Sequence, residues 1–152
     1  MRIILLMALL LSGPAATYGQ TTTVPLNFCG VPIPVAAGCT SETGYGLRCD
    51  KYELKWAYLN YQQMGPVADE AVKAEMRERK QAEKTPLEGF LLDMPAKGYR
   101  LSYLTDAGMA YQLILYGVAK GQPVLVQLTL DLDPEKTTDL PEPARLIIRL
   151  MK

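Results

Sequence analysis

From residue 51 to residue 61 the chain alternates with period two. Tyr52, Leu54, Trp56 and Tyr58 fall on one side of an extended backbone, and Lys51, Glu53 and Lys55 on the other. Charges opposite aromatics predict a strand with one buried face, and Trp56 reads as a core anchor. Gly65-Pro66 interrupts the pattern. Val67 to Lys84 is rich in Ala, Glu, Lys, Arg and Met, which predicts a helix. Its apolar stripe is thin: Ala68, Ala71, Val72 and Met76. Asp69 and Glu70 are placed in its first turn and Lys80 and Lys84 near its end, as the helix dipole favours. The mixed charges from Glu75 to Glu83 read as a solvated face.

Strand patterns fill the rest. Leu87–Leu92 is short and apolar, closed by Pro95 and Gly98. Tyr99, Leu101 and Tyr103 alternate with Arg100 and Ser102. Residues 109–119 are apolar on both faces except at Gln112, which predicts a central strand. Val124 to Leu132 alternates again, and residues 145–151 predict a last strand with Leu146, Ile148 and Leu150 inward. Asp106-Ala-Gly108 and Lys120-Gly121-Gln122 read as hairpin turns. Before all of these, Leu26 to Val35 reads as one edge strand, because Pro25, Pro32 and Pro34 lack the N–H a central strand needs. Strands, one helix, then strands on short turns predict an α+β fold: an antiparallel β-sheet with one main α-helix packed on one face.

The N-terminus follows another pattern. Met1-Arg2 precedes nine apolar residues, Ile3 to Leu11, and small residues follow. Such a helix covers about 14 Å, under half of a hydrocarbon core of roughly 30 Å. The expectation is a signal peptide, residues 1–19, cleaved after Gly19, with residues 20–152 as one exported α+β domain. Export to the periplasm or beyond the cell permits disulfides. Cys29, Cys39 and Cys49 are spaced ten apart. Loop entropy does not separate their pairings, but the Gly44-Tyr-Gly46 turn favours Cys39–Cys49 over a segment stiffened by Pro32 and Pro34. Cys29 is then the odd thiol, expected as a buried apolar residue.

Charge and composition mainly exclude. Sixteen basic and sixteen acidic residues cancel over the whole sequence. Without residues 1–19 only Arg2 is lost, leaving a net of −1. No nucleic-acid partner is expected, and no stable membrane insertion after cleavage. There is no histidine. That removes Ser-His and Cys-His dyads and His-ligated zinc. Ser41 and Ser102 lie in no nucleophile motif, and the cysteines lack the short spacing of a metal or redox site. No cofactor, metal site or catalytic residue is expected. Carboxylate-only hydrolysis is the one enzymatic alternative, with Asp93 and Asp106 flanking turns.

The order of elements resembles the PsbP-like fold over residues 26–151, with Gly30-Val-Pro-Ile-Pro34 in place of that fold's Gly-hydrophobic-x-hydrophobic-Pro segment. The resemblance implies an accessory or binding module and assigns no catalytic residue. The expected function is therefore non-catalytic binding of a protein or envelope component through the sheet face away from the helix. The alternative is an immunity or inhibitor protein that blocks an exported enzyme or toxin. Candidate partner-binding residues are Tyr61 and Tyr116, whose register sets them apart from neighbouring tyrosines. Asp131, Asp133 and Glu135 join them on an acidic loop that lacks the spacing of an EF-hand.

Overall fold

The computed structural model describes residues 24–151. The expected signal peptide and its cleavage site lie outside these residues. Two strands, β1 (Leu26–Phe28) and β2 (Val31–Ile33), form a separate hairpin. Then come β3 (Gly46–Arg48), β4 (Tyr52–Tyr58), helix α1 (Met64–Glu78), β5 (Lys80–Leu91), β6 (Met94–Thr105), β7 (Gly108–Ala119) and β8 (Gln122–Leu130). A short helix α2 (Glu142–Arg145) and β9 (Ile148–Leu150) end the described chain. The main sheet is antiparallel, in the order β3-β4-β8-β7-β6-β5-β9, with α1 on one face. The α+β expectation holds.

Helix α1 buries the expected stripe. Ala68 and Val72 are buried, and Val67, Ala71 and Met76 pack beside them against Leu101, Tyr103, Ile114 and Leu125. Its ends differ from expectation. It starts at Met64, so Pro66 lies in the first turn, where its missing N–H costs nothing, and no acid does. It stops at Glu78, and Lys80 and Lys84 belong to β5. Arg79 is extended, its guanidinium bonded to Glu75 at 2.9 Å and stacked over Tyr103 at 4.7 Å. Pairing of Lys80–Leu91 with β6 outweighs the helix propensity of these residues. Pro95 and Gly98 accordingly sit within β6 and do not close a strand before it.

The other sheet face is covered as well. Leu26 to Val35 is a hairpin, because Cys29 (φ 48) and Gly30 (φ 87) make a left-handed two-residue turn. The Asn27 side chain accepts the Gly30 N–H at 2.7 Å. Phe28 packs edge-on to Trp56, centroids 5.5 Å apart. Leu140, Ala144, Ile147 and Ile148 come from the segment that crosses from β8 to β9 and join the same core as Leu54, Leu113, Leu115, Val126 and Leu128. In the last segment α2 precedes a shorter strand. Ile147 and Ile148 turn inward and Leu146 is exposed, contrary to the strict alternation expected. The result is three layers: helix, sheet, and a hairpin with a crossing strap.

The hairpins at Asp106-Ala107 and Lys120-Gly121 form as expected. The disulfide joins Cys39 to Cys49 and ties the segment before β3 to the entry of β4. Cys29 is free and half-buried, within the hairpin turn and not in a strand. Strand β9 pairs only with Gly89–Leu91, so the outer edge of β5 continues past it with Lys84 and Pro86, residues that discourage strand addition. Among the described residues no helix is long and apolar enough to cross a membrane.

Candidate functional site

The five candidate partner-binding residues do not form one surface. Tyr61 is exposed just before α1, and its hydroxyl donates to the Gly121 carbonyl at 3.1 Å. Tyr116 is half-buried on the helix side of β7. Tyr116 pairs with Leu125, while Leu130, next to Asp131, pairs with Tyr111. Five strand residues, about 17 Å, therefore separate Tyr116 from the acidic end. Within the acidic loop, Asp133 forms an ion pair with Arg100 of β6. Glu135 donates its backbone N–H to Asp139. Asp133 thus anchors the crossing strap to the sheet, and Asp131 lines two open grooves, one of them shared with Asp139.

The sheet face away from the helix does not offer the broad surface expected of it. Leu113, Leu115, Val126 and Leu128 are at most 1% exposed beneath the hairpin and strap. The opposite face is the one left partly open. Helix α1 lies mainly over β7 and β8 and over the Leu101–Tyr103 part of β6, so the opposite end of β6, from Met94 to Lys97, and the neighbouring residues of β5 and β9 lack a helical cover.

A groove of about 510 Å³ occupies that open floor beside the start of α1. Met64, Met94 and Met151 form its walls, from the helix, the β5–β6 turn region and the chain end. Tyr116, Val118 and Pro95 supply further apolar lining, and the buried Gly89 and Gly117 lie at its base. At Gly89 an added Cβ would lie 2.6 Å from the Arg149 carbonyl oxygen, so the site requires glycine to keep β9 docked. Cations sit over the rings of this floor: Lys97 over Tyr116 at 5.8 Å, Lys84 over Tyr99 at 5.0 Å and Arg149 over Phe90 at 4.1 Å.

The sequence matches no family model, and no curated protein is significantly similar to it.

A second concave region lies where β4 begins and β8 ends. A depression of about 520 Å³ runs along the Cys39–Cys49 bridge, and one of about 490 Å³ lies beside it. Both include Cys49, Asp50, Lys51, Tyr52, Leu130 and Asp131. Burial, and then the charge of Glu142, push the Tyr52 phenol above its ordinary pKa.

Asp93 and Asp106 sit in the turns at opposite ends of β6. Twelve strand residues, about 40 Å, lie between them, so they cannot serve one hydrolytic cleft. Among the described residues no group of three His, Cys, Asp or Glu is placed to hold a metal ion. Burial raises the Cys29 thiol pKa, opposed by its hydrogen bond with Tyr58. The buried Gln112 amide oxygen and Trp56 indole N–H have no hydrogen-bond partner among the described residues. The methionine groove has no signature in the sequence, since its three thioethers come from residues 64, 94 and 151 and meet only through the sheet.

Proposed function

We propose that this is a non-catalytic binding protein of an exported compartment, and that its ligand occupies the helix-side groove. The observation that carries the reading is the wall of three methionines beside Tyr116, open to solvent on a floor that α1 leaves uncovered. Flexible, polarisable thioethers adapt to varied apolar partners, and such surfaces recur where binding must tolerate different shapes. Lys97 and its cross-strand neighbour Glu88 place a charge of each sign in the lining. Export is supported by the Cys39–Cys49 disulfide, which persists in oxidising compartments, and by the apolar run from Ile3 to Leu11.

The test is site-specific photocrosslinking in the producing cell. A benzophenone side chain in place of Val118, inside the groove, is expected to give a discrete, saturable adduct. The same probe at Glu70, on the exposed side of α1, is expected to give none. Equal labelling at the two positions refutes the groove as a binding site.

A further inference from the structure

The acidic end of the sheet carries a separate inference, independent of the helix-side groove. The depression along the Cys39–Cys49 bridge has an apolar floor of Leu130, Leu140 and Pro141, and Leu132 stands beside it, 73% exposed. Asp50, Asp131 and Asp139 line it, and Lys51 is the only base among its lining residues. The charges are not neutralised locally. No ion pair forms at Asp50, Asp131 or Asp139 among the described residues. Asp139 accepts the backbone N–H groups of Glu135 and Lys136, both at 3.0 Å, which fixes its carboxylate in place.

Negative charge around an apolar trough defines a partner with both properties. We propose that this groove docks a segment of a protein partner in which Lys or Arg alternates with apolar side chains. The apolar side chains lie on Leu130, Leu132 and Leu140, and the cations reach Asp50 and Asp131. A bare metal ion would leave the apolar floor without a role. A purely cationic chain would leave Leu132 in water.

The probe is a fluorescein-labelled peptide of alternating leucine and lysine, six residues long, followed by anisotropy at low and physiological salt. Saturable binding that weakens as salt rises is expected. The double variant Asp50→Asn with Asp131→Asn is expected to weaken it roughly tenfold or more, as for paired rim charges. Leu132→Ser is expected to weaken it at both salt concentrations. Val118→Asp, in the other groove, is expected to leave it unchanged, so failure here and failure of the helix-side site are separable. The proposal is overturned by no saturable binding at low salt, by unchanged affinity in the double variant at unchanged melting temperature, or by equal affinity for a leucine–glutamate peptide. Equal binding by the Leu132→Ser protein also overturns it, by reducing the effect to non-specific attraction of a polycation.

Discussion

Gly98→Ala tests the way the central strands approach each other. Gly98 is buried in β6, opposite Leu115 of β7. A Cβ placed there would lie 1.8 Å from the Ile114 carbonyl oxygen, 2.8 Å from its carbon and 3.1 Å from the Leu115 Cα. All three are backbone atoms, so no side chain can swing aside. Restoring an ordinary carbon–oxygen separation of about 3.3 Å requires a shift of about 1.5 Å between β6 and β7. That pair is registered without a break from Ala96 to Thr105, so the shift strains or breaks neighbouring ladder bonds. Overpacking costs about 1–3 kcal/mol, and each buried backbone group left unpaired costs about 1–3 kcal/mol more. A loss of about 3–5 kcal/mol is expected, a large share of a typical 5–15 kcal/mol stability. Equilibrium urea unfolding with an unchanged m value is the assay. Gly44→Ala, where an added Cβ meets nothing within 4 Å, is the control. A loss below about 1 kcal/mol in Gly98→Ala, with the fold retained, would refute the close approach.

Other consequences are open to simpler tests. Gln112→Met removes the unpartnered amide oxygen beneath α1 and should stabilise the protein by about 1 kcal/mol in the same unfolding assay. Phe28→Ala should cost about 3–5 kcal/mol and red-shift Trp56 emission as the hairpin detaches from it. Thiol labelling of the unreduced native protein should mark Cys29 alone. The rate should stay low at neutral pH and climb in alkali, because burial raises its pKa and only the thiolate reacts. Burial also raises the phenols of Tyr52, Tyr58 and Tyr103. Their contribution to stability is therefore complete below the unfolded phenol pKa of about 10 and is lost as pH rises through the higher folded values. Thermal melts should show destabilisation beginning near that pH.

The legible parts of this fold were those where one local pattern had one solution. Strands β7 and β8 are long and apolar, their turns carry Gly108 and Gly121, and both formed where the pattern placed them. Errors arose where distant pairing decided the outcome. Residues 80–84 favour helix locally, yet pairing with β6 recruits them into β5. Leu26–Val35 bends because Asn27 caps the Cys29–Gly30 turn and Trp56 lies beneath Phe28. The role of Asp133 was equally hidden, since its partner Arg100 lies on β6, far back in the chain.

That ion pair also bears on where binding can occur. The chain leaves β8 in the middle of the sheet and must reach β9 at its edge, passing β7, β6 and β5. The strap that makes this passage buries Leu140, Ala144 and Ile147 and, with the β1–β2 hairpin, closes the face that a simple helix-on-sheet reading leaves open. Arg100 and Asp133 hold the strap where it leaves the acidic end, and Thr137 holds it near β9 by accepting the Leu150 N–H at 3.0 Å. Away from that covered face lie the floor beside the start of α1 and the groove along the disulfide, the latter lined in part by Leu140 and Pro141 of the strap. One is walled by thioethers and the other rimmed by carboxylates, so the two grooves select partners of different chemistry and can be engaged or disabled separately.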